Sequence, residues 1–281
     1  MQTLKTLAIE LTNFCNYKCE FCWARSSGRP RGYMSKNLFD KIMNEVRQMK
    51  DLQNLCLNFS GESTLHPDFD YFCKAVGNLK CTKSIITNGS MLGMVASYLI
   101  NNNINVIVSV NGSGKGYEDF CGHSYSDVQD NIEYFMHLRG PTKKPTLTVY
   151  RHFWKTTDLN MQKFINEWRG KVDEIVYGPG IEDMEWKYTN KNIRYKECCG
   201  PCGYPFRYMA VLWDGKVVPC CRDIGCEMAF GDVNIQRLQE TFDGPVYTEL
   251  RNDILTNKFK PGTLCSRCKL WQKIPVEVKV V

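Results

Sequence analysis

Three cysteines stand within eight residues, Cys15, Cys19 and Cys22, in the stretch CNYKCEFC. Cysteines at this density can be buried thiols, half of a zinc site, part of a disulfide framework, or ligands to an iron–sulfur cluster. A structural zinc ion takes four ligands, usually as two pairs, and no fourth Cys or His stands near the triplet. An iron–sulfur cluster also takes four ligands, and three thiolates leave one iron open to a small molecule. Inert core thiols are the plainer alternative, but so dense a run in a connecting segment is poor core material. The CxxxCxxC spacing therefore points to a cluster with one open iron.

A second concentration of sulfur lies towards the end of the chain, in CCGPCGYPFRYMAVLWDGKVVPCCRDIGC and then GTLCSRCKLW. Within it, YMAVLWDGKVVPCC reads as a hairpin turning at Asp214-Gly215. Cys202 and Cys220 flank that hairpin, and Cys265 and Cys268 form a separate pair. Two distant pairs can converge on one four-ligand site, closing the intervening loop at modest entropic cost. Zinc is the structural alternative here, because CxxC pairs also mark zinc ribbons.

The elements that must position these groups are strands alternating with helices. Residues 4–11, 54–59, 83–88, 104–110, 145–151 and 173–178 read as strands, rich in β-branched and aromatic residues and bounded by turn signals. Between them SKNLFDKIMNEVRQMK (35–50) reads as a helix, with Ser35 as N-cap and Leu38, Ile42 and Val46 along one face. MLGMVASYLINN, DVQDNIEYFMHLR and LNMQKFINEWRGK repeat the helical spacing. Six such units predict a parallel α/β sheet, either a partial barrel or an open doubly wound sheet. In both, a site belongs at the carboxyl ends of the strands. The Cys15–Cys22 run follows the first strand. FSGEST (59–64), TNGS (87–90) and SVNG (109–112) follow the next three.

Composition narrows the classes. The 281 residues carry 15 cysteines and a formal charge of +6, with no long basic run, so nucleic acid is not an expected partner. The first residues lack a signal-peptide pattern, and no apolar run reaches the ~20 residues of a membrane span. A cytoplasmic, non-membrane protein is expected, and there metal or redox chemistry outweighs disulfides as a use for cysteine.

On these residues the chain resembles the radical S-adenosylmethionine superfamily, whose signature is CxxxCxxC with an aromatic, here Phe21, before the last cysteine. The resemblance implies a partial (β/α)6 barrel, a [4Fe–4S] cluster on Cys15, Cys19 and Cys22, and S-adenosylmethionine on the open iron. It places Gly61 and Glu62 at the family's Gly-Gly-Glu motif, with Ser60 in place of the first glycine. Thr87 and Asn88 fall at the ribose-contacting position, and Asn111 replaces the aspartate of an S-[LV]-D-G stretch. The tail resembles the SPASM and shorter twitch extensions, whose C-x(9–15)-G-x4-C element is met by Cys202, Gly215 and Cys220. Its one-cluster spacing most resembles that of 2-deoxy-scyllo-inosamine dehydrogenase, which implies one auxiliary [4Fe–4S] cluster on Cys202, Cys220, Cys265 and Cys268. The domains implied are a core over 1–190 and a twitch/SPASM-like tail over 191–281.

A radical oxidoreductase of this kind acts on a small polar metabolite or a peptide and draws electrons from a donor such as flavodoxin or ferredoxin. Two-electron dehydrogenation is the expected outcome. Epimerisation or peptide modification is the alternative, with Cys121, Cys199, Cys221 or Cys226 as hydrogen donor. Arg151, His152, Tyr177, Glu182 and Arg207 are candidates for a base or substrate anchor. A non-catalytic iron–sulfur or zinc sensor is the competing class, and it has no need of the polar motifs after three further strands.

Overall fold

A computed structural model describes residues 2–20, 22–153, 161–179, 202–268 and 278–280. In chain order its elements begin β1 (Thr6–Ile9), α1 (Lys36–Val46), β2 (Asn54–Cys56), α2 (Phe69–Val76), β3 (Thr82–Thr87), α3 (Leu92–Asn101) and β4 (Asn105–Ser109). Then come α4 (Gly114–Cys121), α5 (Tyr125–Arg139), β5 (Leu147–Phe153), α6 (Met161–Trp168) and β6 (Glu174–Pro179). The tail holds α7 (Tyr204–Arg207), β7 (Tyr208–Val211), β8 (Lys216–Val218), β9 (Gly231–Asp232), α8 (Leu238–Phe242), α9 (Pro245–Thr256), α10 (Leu264–Arg267) and β10 (Val278–Val280). All six expected strands form, and the fold class is α/β with parallel strands.

The chain packs as two compact units, the first of residues 1–15, 23–85 and 201–268 and the second of 16–22, 86–200 and 269–281. The domain boundary expected at residue 190 falls outside the described residues.

In the first unit β1 pairs in parallel with β2 on one side and β7 on the other, and β2 pairs with β3. The tail thus extends the sheet, with Leu7 opposite Met209. From β7 the chain turns back through the expected hairpin, where Gly215 takes φ +93, and β8 and then β9 add antiparallel. Ser35 caps α1, accepting the Leu38 N–H at 3.2 Å, and Leu38, Phe39, Ile42, Met43 and Val46 are buried. The helix stops at Val46 and not at residue 50, because i→i+3 bonds from Gln48 and Met49 tighten the chain into a turn. Helices α8 and α9 were not expected. Gly244-Pro245 starts α9, and Tyr247, Leu250 and Ile254 bury at helical spacing.

In the second unit β4, β5 and β6 run parallel and β10 pairs antiparallel with β6. Gly114 and Gly116 disfavour a helix over α4. Burial of Tyr117, Phe120 and Cys121 outweighs them. Among the described residues no helix is long and apolar enough to cross a membrane.

A return segment after the cysteines lies against the extension of β1: Met34 N–H donates to Leu11 O at 2.8 Å, and Thr12 bridges Tyr33. His66 fastens it. Its Nδ1 accepts the Asp68 N–H at 3.0 Å and its Nε2 meets Met34 O at 3.0 Å, which only the neutral Nε2–H tautomer satisfies. Burial holds the ring's pKa below its ordinary 6.5. The unfolded chain therefore takes up this proton at higher pH than the folded one. The contribution is complete above the ordinary value and is lost as pH falls from there through the lowered folded value. The melting temperature should drop as pH falls through the ordinary value of 6.5 and below, and His66→Gln should flatten that drop. An unchanged slope in the variant would count against the assignment.

Candidate functional site

In the first unit, the end of the β1 segment is locked just before Cys15. Thr12 Oγ1 donates to Gly32 O at 2.7 Å and accepts the Phe14 N–H at 3.1 Å. The Asn13 amide takes Gly32 N–H at 2.9 Å and gives to Pro30 O at 2.8 Å. Against this frame sits the turn after β2. Gly61 has φ +75, and a Cβ there would fall 2.6 Å from both Asn13 Cα and Thr12 O. Only glycine allows so close an approach of two backbones. The next residue, Glu62, donates its N–H to Phe14 O at 2.7 Å. Its carboxylate is 1% exposed and accepts from Thr64 N at 3.2 Å and Thr64 Oγ1 at 2.6 Å. A buried carboxylate whose main chain is bonded to Phe14, the residue before Cys15, is a suitable partner for an ammonium group.

In the second unit, the TNGS turn is built on its own side chains. Thr87 Oγ1 accepts Gly89 N–H at 3.1 Å and Asn88 Oδ1 accepts Ser90 N–H at 2.9 Å, the self-bonding typical of Asx and ST turns. Asn88 Nδ2 donates to Asn16 Oδ1 at 2.9 Å, and Asn16 Nδ2 donates to Ser90 Oγ at 2.9 Å. Asn111 is buried and its Oδ1 accepts the His152 N–H of β5 at 2.9 Å, work that an amide or a carboxylate oxygen can do. His123 meets Asn16 O at 2.9 Å and stacks on Tyr17, with ring centroids 3.8 Å apart. Asn16, Tyr17 and His123 were missed in the sequence. The first two lie inside CNYKC as the residues between cysteines.

Cys15 belongs to the first unit, and Cys19 and Cys22 belong to the second. Cys15 is exposed, Cys19 and Cys22 are partly buried, and Cys22 N–H donates to Cys19 O at 3.2 Å. Phe21 lies outside the described residues.

The tail brings its four cysteines into one neighbourhood of the first unit. Cys265 lies in α10 and Cys268 caps it, so the CxxC pair occupies a single turn. Burial pushes the Cys265 thiol up to about 12, with Cys268 and Cys202 adding to the rise. Cys220 is raised by burial and then by Cys221 and Cys265; Cys202 is raised by burial, with Cys268 and Cys221 contributing. The Tyr204 hydroxyl is within hydrogen-bonding reach of Cys221. No three Cys, His, Asp or Glu side chains among the described residues close to the span of a single metal ion. All four are free thiols, and an iron–sulfur cluster holds its thiolates further apart than a single ion does.

Of the remaining candidates, Cys121 ends α4 and is buried, Cys226 has the left-handed φ of 55°, and Cys199 and Glu182 lie outside the described residues. Cys73 is a core thiol pushed up to about 12 by burial. Arg151 is buried with its guanidinium 5.0 Å from the Phe164 ring, and Arg207 is exposed. Burial pushes His152 down to about 4, so it is neutral at pH 7 and holds an added proton weakly. Tyr177 is in β6.

Residues 9–153, just over half of the chain, match the model of the Radical SAM superfamily. The chain belongs to that superfamily. Residues 199–269 match SPASM, an iron–sulfur cluster-binding domain. A [4Fe–4S] cluster, S-adenosylmethionine and auxiliary iron–sulfur binding in the tail go with these two domains. The structure of BtrN in complex with AdoMet and 2-DOIA is similar over 96% of this chain and 94% of that one, at TM-score 0.63 and 17% identity. Streptococcus suis SuiB bound to the precursor peptide SuiA is similar over 97% of this chain and 71% of its own, at 0.67 and 16%. For anSMEcpe with bound AdoMet the coverages are 95% and 87%, at 0.66 and 17%. At these identities the likeness shows the fold. The tungsten-containing aldehyde ferredoxin oxidoreductase cofactor-modifying protein of Pyrococcus furiosus is 32% identical over 89 residues, which span 32% of this chain and 25% of that protein.

Gly122 offers a control for the Gly61 turn. It has the same φ of 75°, with nothing within 4 Å of a Cβ. Gly122→Ala should cost only backbone strain, roughly 1–2 kcal/mol. Gly61→Ala should cost distinctly more in denaturant unfolding, because Asn13 and Thr12 must also move. Equal losses would refute the close approach.

Proposed function

We propose that this radical S-adenosylmethionine protein is an oxidoreductase that removes two electrons and two hydrogens from a small polar metabolite or a peptide, using one auxiliary [4Fe–4S] cluster. When bound, the cofactors of the core supply a low-potential electron and a 5′-deoxyadenosyl radical able to take a hydrogen atom from substrate. Cys15, Cys19 and Cys22 hold the core cluster, and Glu62, presented by Gly61, takes the ammonium of S-adenosylmethionine. Thr87 and Asn88 shape the turn for the ribose, and Asn111 fixes the strand end beside it. Phe21 belongs to the same cofactor-binding set. The observation that carries the oxidative reading is the gathering of Cys202, Cys220, Cys265 and Cys268 in one another's fields. That sulfur set holds the acceptor for the second electron, while a base takes the proton. Other members of the fold, holding 2-DOIA in one case and the precursor peptide SuiA in another, support the substrate class. A flavodoxin- or ferredoxin-type donor in the cytoplasm would supply the electrons.

One observation favours a thiol donor as second reading. Cys226, with its left-handed backbone, lines a cavity of about 300 Å³ together with Arg29, Trp213, Asp214 and Lys216. In that reading Cys226, or Cys121, Cys199 or Cys221, returns a hydrogen atom to the substrate radical.

Anaerobic reconstitution should give about eight irons per chain, falling to about four when Cys15, Cys19 and Cys22 are all changed to alanine. Reduced wild-type protein should form 5′-deoxyadenosine, and the triple variant none. Four irons falling to none, with zinc in the tail, would remove the electron acceptor and end the oxidative reading. A product carrying a solvent-derived hydrogen would favour the thiol donor.

A further inference from the structure

Glu10 follows β1 and has no solvent exposure, yet neither the superfamily signature nor the cysteine pattern uses it. Its carboxylate is fully engaged. Oε2 accepts Arg29 Nη1 at 2.9 Å and the Trp213 N–H at 3.2 Å. Oε1 accepts Arg29 Nη2 at 2.6 Å and the Ser60 hydroxyl. The same Nη2 reaches Ser60 Oγ at 2.9 Å, and Arg29 Nε donates to Ile224 O at 2.6 Å. Arg29 itself is nearly buried, at 8% side-chain exposure.

One guanidinium therefore joins two segments far apart in sequence. Ser60 opens the turn that presents Gly61 and Glu62. Ile224 lies in the tail loop that begins at Cys220 and Cys221. That loop is closed on the buried Asp223, whose carboxylate accepts Glu227 N–H at 2.7 Å and Met228 N–H at 2.9 Å. The planar fork of arginine matches this geometry, with Nη1 and Nη2 paired to a carboxylate and Nε left as a further donor. The network also explains Ser60 where the family pattern has glycine: its hydroxyl takes part in the pair.

We propose that Arg29 is a positioning residue that sets the Cys220–Cys226 loop in register with the Ser60–Glu62 turn, so that the segment holding the auxiliary cluster and the turn holding S-adenosylmethionine are ordered as one body. This rests on the reading above that the tail cysteines hold a cluster and Glu62 the amino group. Through Arg29, a change at Ser60 is felt at Ile224 although the two residues share no bond of their own.

Amide hydrogen exchange on the full chain, read at residues 60–64 and 224–228, tests this without any turnover. Ser60→Ala removes one hydroxyl and should speed exchange at 224–228 as well as at 60–64, about threefold or more. Arg29→Ala should speed both stretches about tenfold. Added guanidinium, which the adjoining cavity of about 300 Å³ can admit, should restore both together. Arg29→Lys should remain defective, since an ammonium cannot span both carboxylate oxygens and Ile224 O. With Cys15, Cys19 and Cys22 changed to alanine, Arg29→Lys should also alter the electron paramagnetic resonance signal of the tail cluster. Exchange that rises in only one stretch, a Ser60→Ala effect confined to 60–64, or wild-type behaviour of Arg29→Lys overturns the proposal. If Arg29→Ala fails to fold, Ser60→Ala and Arg29→Lys still decide it, through the non-additivity of their double variant. Failure of the parent reading looks different: the tail would hold no iron, while the coupled exchange would persist.

Discussion

A carboxylate cannot be taken out of water without donors to replace the water, and Glu10 is taken out completely. Much of the first unit is arranged around that requirement. Arg29 must come back from beyond the cysteine run to pair with it, which obliges the return segment to lie along the extension of β1. Trp213 must offer its N–H, which places the β7–β8 hairpin; the same tryptophan ring closes over Gly32, where a Cβ would fall 2.4 Å from it. Ser60 must offer its hydroxyl, which fixes the turn that carries Glu62. Removing Arg29 would leave the charge buried and unpaired, and removing Ser60 or Trp213 would leave it short of a donor, so the three segments are held to one another more strictly than apolar packing alone would hold them.

The polar side chains of these turns are held both by backbone groups and by one another. Glu62 is aimed by its own N–H on Phe14 O and by Thr64. Asn88 donates to Asn16 and Asn16 to Ser90 within the second unit, and Tyr17 is clamped by the ring of His123. The Tyr17 and Tyr117 hydroxyls meet at 3.3 Å. A loop rich in cysteine has few apolar contacts of its own, so its order comes from the residues interleaved with the sulfur. Asn16 and Tyr17 are spacers in the signature, but here they carry the anchoring.

The strands, the α1 cap at Ser35 and the Asp214-Gly215 turn were legible because each depends on residues close in sequence. The site motifs were legible because glycine at φ +75 and a strand-end carboxylate are chemical necessities that a short pattern records. What escaped was set by distant partners. Glu10 sits in AIEL, where a polar residue in an apolar run looks like the solvent face of a strand; nothing local shows that Arg29, Ser60 and Trp213 converge on it. Helix α4 escaped because its glycines speak against helix while the burial of Tyr117 and Phe120 speaks for it, and burial is a tertiary fact. Helix α9 carried a readable Gly-Pro start and apolar spacing, hidden by the cysteine texture on either side.

The tail thiols invert the usual relation between a metal site and its fold. In many small metal domains the ion supplies the folding free energy, because the empty loop has nothing else to hold it. Here the loop after Cys220 is already closed by Asp223 on Glu227 and Met228 and tied to Arg29 through Ile224. Burial meanwhile holds the Cys202, Cys220 and Cys265 thiols above the ordinary thiol range. Each thiolate would raise its neighbours further, which makes sequential ionisation without a cation unfavourable. The main chain of this loop is thus held by bonds that involve no sulfur, so its geometry does not depend on the charge the sulfurs carry.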